Sequence, residues 1–198
     1  MAFPGFCVST ADAQARAWDV SLSSGVAFPV GLFANTHQTP GQPYADQRAA
    51  TGWNLDGQAT FRFFHGLGIT ALAGYQFNPF TGPAEGVSNY STWRVLAGPS
   101  YRIPLATNWA LTARLLGGVE RVSLTSDENQ GLPFAWQAGV VLQYSLCKSW
   151  YLLASADFIT ATYHIPYVEY VTPNEIGGGR YDGPRRTIDT DLGIGFRF

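Results

Sequence analysis

Four segments of the chain repeat one device: a Trp, a second aromatic ring eight positions later, and polar residues alternating between them. They are Trp53/Phe61, Trp93/Tyr101, Trp136/Tyr144 and Trp150/Phe158. An even offset puts both rings on one face of a β-strand. Eight steps of about 3.3 Å carry the second ring roughly 26 Å along that strand. Tilting shortens the span, but the rings still fall near the two edges of the apolar band, about 25 Å tall, of a transmembrane barrel. A ring with an apolar body and a polar tip is most stable at those two edges.

The alternation runs through eight segments, near 18–29, 53–63, 68–77, 92–103, 109–123, 134–146, 150–161 and 188–198. It is clearest in the second, where Trp53, Leu55, Ala59, Phe61 and Phe63 alternate with Asn54, Asp56, Gln58, Thr60 and Arg62. His65-Gly66-Leu67 follows as a tight turn. Pro99 interrupts the fourth segment; lacking an N–H, it points to a bulge near Gly98-Pro99. The connections alternate in length. Those near 30–51, 78–91, 124–133 and 162–186 are long, and those near 65–67, 104–108 and 147–149 are short. The fold class expected for residues 16–198 is therefore all-β: an eight-stranded antiparallel up-and-down transmembrane β-barrel, with long loops at one rim and short turns at the other. All six Trp open strands. Trp18, Trp109 and Trp150 then lie at the turn rim, and Trp53, Trp93 and Trp136 at the loop rim, as an aromatic girdle at both interfaces.

Composition agrees. Charged residues make up 13% of the 198 and aromatics 15%, where a soluble domain carries about 25% charge. No run of about 18 apolar residues occurs, which excludes a transmembrane helix and leaves a barrel open. The net charge of −2 gives no case for nucleic acid. Cys7 and Cys147 cannot define a disulfide framework. Ala13-Gln14-Ala15 has the form of a cleavage site, so residues 1–15 read as a signal-peptide remnant or an N-terminal tail.

A soluble barrel of the same strand count has its apolar face inward. Here that face is too bulky for an eight-stranded interior. The opposite face carries Asp19, Asp56, Glu120, Asp157, Asp189 and Asp191 against Arg62, Arg94, Arg102, Arg114 and Arg197. Six acids against five guanidinium groups suit an enclosed ion-pair network, because the planar Arg fork matches a carboxylate. Such a network either fixes the barrel's shape or forms a gated ion path. Leu72, Leu96, Leu116, Val141 and Leu153 interrupt this polar phase, as interior packing or as the wall of an apolar passage.

The last segment, Asp191-Leu-Gly-Ile-Gly-Phe-Arg-Phe198, resembles the C-terminal signal read by the assembly machinery of bacterial outer-membrane barrels, with Ile194, Phe196 and Phe198 in its alternating positions. Leu96-Ala-Gly-Pro-Ser-Tyr-Arg-Ile-Pro104 resembles the fourth strand of the small outer-membrane β-barrel family of the OmpA, OmpX and OmpW types. The resemblance implies the outer membrane of a Gram-negative bacterium. It implies lipid, lipopolysaccharide and the barrel-assembly machinery as partners. It is poor for function, because this family hosts anchors, adhesins, channels and subunits.

Chemistry has little support. His164 is followed by Ile165-Pro166, which breaks the close His–Ser motif of lipid A deacylases. His37 and Asp46 with Ser88 or Ser91 could be drawn as the rim triad of a palmitoyltransferase, but loops commonly hold such residues. His65 lies at the opposite rim, so the three His cannot share a metal. No catalytic residue, cofactor or metal is expected. The 162–186 segment holds Tyr167, Tyr170, Arg180 and Tyr181, residue types enriched at binding hot spots. It reads as an extension of strand seven or as a docking surface. The expected role is non-enzymatic: a structural or interaction protein presenting four outer loops, on its own or as a subunit of a larger outer-membrane assembly. The alternatives are a small channel for apolar or minor solutes and, further off, a lipid-modifying enzyme.

Overall fold

A computed structural model describes residues 18–31, 34, 48–81, 89–124, 132–172 and 175–198. Nine strands appear in chain order: β1 (Trp18–Val30), β2 (Arg48–Ala49), β3 (Gly52–Phe64), β4 (Leu67–Thr81), β5 (Asn89–Pro104), β6 (Trp109–Leu124), β7 (Phe134–Ser145), β8 (Trp150–Thr172) and β9 (Glu175–Arg197). Eight of them pair with their chain neighbours, and β1 closes against β9, so the sheet has no free edge around the barrel wall. The two-residue β2 adds to β4 beyond the wall, opposite Phe80 and Thr81. All pairings are antiparallel. The alternating pattern thus becomes a closed eight-stranded barrel, because closure satisfies every row of backbone groups that an open sheet would leave bare.

The two faces sort as the alternation requires, with the apolar one outward. Leu192 is 72% exposed, Val95 62% and Trp93 60%. The buried side chains are mostly polar or charged, among them Asp56, Arg94, Glu120, Gln137 and Asp189. Water would reverse this arrangement; hydrocarbon around the wall stabilises it.

Aromatic rings meet in two belts. At the turn rim Trp18 lies 4.9 Å from Phe61, Trp109 4.8 Å from Tyr144 and Trp150 4.9 Å from Phe196, centroid to centroid. Each is a directly opposed cross-strand pair, the closest approach a sheet offers two side chains. At the loop rim Tyr75 meets Trp93 at 4.7 Å and Trp53 at 5.4 Å, and Trp136 meets Phe158 at 5.6 Å.

The turn rim is tied by short connections. His65 and Gly66 have φ of 38° and 88°, the positive values that a two-residue hairpin needs at both positions. A bulge between Arg62 and Phe64 precedes this turn. Gly66 accepts a 2.8 Å hydrogen bond from the Arg102 N–H, and a Cβ there would overlap the Arg102 carbonyl oxygen. Phe198 N–H donates to the Trp18 carbonyl at 2.9 Å, closing the seam between β9 and β1, and Arg197 N–H donates to the Ser149 carbonyl at 2.7 Å.

Two expectations change. Gly98 and Pro99 pair with β4 in unbroken register, and β5 keeps one register with β6 before and after them, so no bulge forms there. The ladder to β6 carries no pair at these two residues, consistent with the N–H that Pro lacks. The 162–186 segment, expected as a long connection, follows its other reading, an extension of strand seven, along most of its length. β8 and β9 stay paired to Thr172↔Glu175, with Tyr167, Val168 and Glu169 opposite Gly179, Gly178 and Gly177. Glycine is disfavoured in strands, but the opposed strand carries these three in a long hairpin.

Candidate functional site in the barrel lumen

The lumen is built in levels. At the turn end, Asp19 on β1 lies between two arginines. Arg197 Nε donates to its Oδ1 at 2.8 Å, and Arg62 pairs with its Oδ2. The Arg197 guanidinium also sits 4.9 Å from the Tyr151 ring centroid. Arg102, half-buried, faces the same end. Next to this cluster, hydroxyls form a chain from Thr60 to Thr70 (2.8 Å) to Ser100 (2.9 Å) across three strands.

Toward the middle, Arg114 on β6 grips Asp157 on β8 as a fork, Nε to Oδ1 at 3.0 Å and Nη2 to Oδ2 at 2.7 Å, and its Nη1 donates to Gln58. In the loop half, Arg94 on β5 binds Asp56 on β3 through Nη2, at 2.8 and 2.7 Å to the two oxygens. The same nitrogen lies 3.0 Å from Asp189 Oδ2 on β9. Arg94 Nη1 donates to Gln76 at 3.1 Å, and Gln76 passes a bond to Asn78 at 2.6 Å. Asp191 accepts from Ser155 at 3.0 Å. Nearest the loops, Arg185 on β9 meets Glu120 on β6 at 2.5 Å.

The Asp56–Arg94 and Arg114–Asp157 pairs share one local design. Asp56, Gly74 and Arg94 are opposed on β3, β4 and β5. Arg114, Gly139 and Asp157 are opposed on β6, β7 and β8. In each triplet the acid and the arginine are two strands apart, and the residue between them is glycine. A Cβ on Gly74 would overlap the Asp56 carboxylate and stand 2.7 Å from Arg94 Nε; one on Gly139 would overlap the Asp157 carboxylate. The missing side chain is the space in which the pair forms. Fully buried charges need such bidentate geometry, because their desolvation cost is large.

The structure therefore brings together Asp56, Arg94 and Asp189, and separately Arg114 and Asp157, Asp19 with Arg62 and Arg197, and Asp191 with Ser155. Sequence reasoning missed Arg185, which it left in a loop. The signal was parity: Arg185 and Thr187 continue the odd, inward phase of Asp189, Asp191 and Arg197. It also missed that Gln58, Gln76 and Gln143 bond to Arg114, Arg94 and Arg197. Leu72, Leu96 and Leu116 pack with Val122, Ala135, Ala161 and Tyr90 into an apolar wall on β4 to β8; Val141 and Leu153 join Tyr151 in a second cluster. The six Trp and the outward residues Ile194, Phe196 and Phe198 lie on the exterior.

Of the candidate catalytic residues, Ser91 and His65 have described side chains. Ser91 accepts a hydrogen bond from the Tyr75 hydroxyl at 3.1 Å, and exposed His65 packs its ring against Phe64 at 4.0 Å. His37, Asp46, Ser88, Cys7 and residues 1–15 lie outside the described residues, as do the side chains of His164, Tyr167, Tyr170, Arg180 and Tyr181. Among the described residues no group of His, Cys, Asp and Glu is placed to hold a metal ion. Cys147 is half-buried in the turn before β8.

Among solved structures, the Neisserial surface protein A superposes with a TM-score of 0.56 at 12% identity, over 91% of this chain and 97% of that one. The outer membrane protein OprG from Pseudomonas aeruginosa gives 0.56 at 11%, over 94% and 98%. The chain has the fold of the small outer-membrane β-barrels. An apolar belt between two aromatic girdles makes this barrel an integral membrane protein of the outer-membrane type. No protein-family model matches the chain, and no curated protein sequence does.

Proposed function

We propose that this is a non-enzymatic barrel of the Gram-negative outer membrane whose lumen is closed and whose role is structural or interactive. The supporting observation is the lumen itself. Arg–carboxylate pairs occupy the turn end, the middle, the loop half and the loop mouth in succession. Buried ion pairs stacked in this way stiffen a wall, and an eight-stranded interior has room for little besides side chains. What remains for function is the surface above the membrane: the loop-side connections and the β8–β9 hairpin bearing Tyr167, Tyr170, Arg180 and Tyr181. The barrel presents these alone or as a subunit of a larger outer-membrane assembly. Ile194, Phe196 and Phe198, outward along and just after β9, are the face offered to the assembly machinery. Bilayer lipid and lipopolysaccharide surround the belt.

A second reading is a passage for apolar solutes, favoured by the wall of Leu72, Leu96 and Leu116 with Val122, Ala135 and Ala161. One experiment separates the two: reconstitution into bilayers, with ion conductance and apolar-solute flux measured on the same preparation. The closed-barrel reading expects neither. Solute flux without conductance establishes the passage, and stable conductance steps refute the plug.

A further inference from the structure

Among residues whose side chains are described, only two outward-facing strand positions carry a charge: Arg121 on β6 and Arg186 on β9. Both lie toward the loop rim. Arg121 is opposite Trp93, and Arg186 is opposite Thr160 on one side and Val30 on the other. No outward-facing acid accompanies them among the described residues, so neither cation is there to close an ion pair across the wall.

Arg186 has a setting that Arg121 lacks. With Phe134, Trp136, Phe158, Thr160 and Thr162 it lines an exterior groove of about 430 Å³. Gly117 shapes one wall: a Cβ there would stand 3.2 Å from Phe134 Cζ, so the glycine lets that ring lie down on β6. The groove is polar at the top and apolar below. Its upper end carries the guanidinium and two threonine hydroxyls. Toward the waist of the barrel the same face continues through Phe158 and Ile188, Ala156 and Thr190, then Ala154 and Leu192, each an opposed pair.

We propose that this groove docks one phosphate-bearing lipid of the loop-side leaflet. Arg186 and the hydroxyls of Thr160 and Thr162 hold the phosphate, and one acyl chain lies along Phe158, Ala156 and Ala154. The chemistry fits at both ends. A guanidinium fork and neighbouring hydroxyls donate to phosphate oxygens, and the Trp136 girdle marks the depth at which headgroups begin. Below Phe158 the outward residues of β8 are the small Ala156 and Ala154, opposed to Val140 and Leu142 on β7 and to Thr190 and Leu192 on β9. The proposal rests on the loop rim facing the outer leaflet, as barrels of this fold are oriented.

The test is native mass spectrometry of the folded barrel in mild detergent, titrated with lipid A and, in a separate arm, with inorganic phosphate. Folding of every variant is scored by the shift in gel mobility on heating. Wild type is expected to retain one lipid A and no phosphate. Arg186→Gln is expected to weaken that binding roughly tenfold, about the loss of one good charge-assisted contact. Arg186→Lys should recover part of it, and Arg121→Gln should leave it unchanged. Equal retention by wild type and Arg186→Gln overturns the proposal. So does an equal loss in Arg121→Gln, which would mean diffuse surface charge, or saturable binding of phosphate alone. A chain that never reaches the folded form in lipid would instead sink the membrane reading.

Discussion

The Arg114–Asp157 pair offers the sharpest test of how the lumen is held. Asp157→Asn keeps the shape of the side chain and removes its charge. In the native barrel Arg114 makes two bonds to this carboxylate, at 3.0 and 2.7 Å, and a third contact to Gln58. Asn retains one acceptor and turns an amide N–H₂ toward a group that can only donate. Removing one partner of a buried ion pair costs about 3–5 kcal/mol. The lower end applies here, since Asp157 is opposed to Asp189, and like charges face to face are mutually destabilising. The expected loss is therefore about 3 kcal/mol. The double variant Arg114→Met/Asp157→Leu removes both charges and refills the space beside Gly139. It should unfold within about 1 kcal/mol of wild type. The assay is urea unfolding from lipid vesicles, followed by tryptophan fluorescence, with the midpoint shift converted through an unchanged m-value. The coupling energy of the cycle isolates the pair. A loss under about 1 kcal/mol for Asp157→Asn, or a double variant as unstable as the two singles summed, would refute the reasoning.

Two glycines carry further expectations. Gly74→Ala sets a methyl group where the Asp56–Arg94 pair forms, and should cost about 1–3 kcal/mol by overpacking in the same unfolding assay; Gly57→Ala, whose Cβ would have its nearest neighbour at 3.9 Å, should be far milder. Gly66→Ala meets both a φ of +88° and the Arg102 carbonyl, so the hairpin between β3 and β4 should reform more slowly on refolding into vesicles and lose about 1–2 kcal/mol.

The barrel was legible because a period of two is hard to hide in a chain this rich in aromatics. In Trp53 to Phe63 the same alternation names the lipid face, the lumen face and both rims. An offset of eight between rings then sets the height of the belt without any knowledge of partners. Hairpin ends were less legible. Gly177 to Gly179 fall within the long connection expected at 162–186, because glycine weakens strands wherever composition is the only guide. The structure pairs them with Tyr167 to Glu169, and a neighbouring strand outweighs a local preference. Pro99 misled in the same way. A missing N–H ends a strand only if the ladder on that side is needed for register, and here the pairs on either side of it keep the same register with β6.

The lumen shows where reading along one strand runs out. Parity marks Asp56, Arg94, Arg114 and Asp157 as inward, but it cannot tell which acid meets which arginine, because pairing depends on the stagger between strands two apart. That stagger leaves one trace in the sequence. An inward position held by glycine, on a strand whose two neighbours carry opposite charges at the opposed positions, marks a site where those charges can meet across it. Gly74 and Gly139 both satisfy the rule, and inward Gly195 makes room in the same way for the Tyr151 ring. Glycine at these places is therefore a packing choice rather than a turn signal. The same inward phase, followed past the predicted end of β9, reaches Arg185 and its contact with Glu120. Counting parity outward from a known ion pair, instead of inward from a predicted strand end, would have found it.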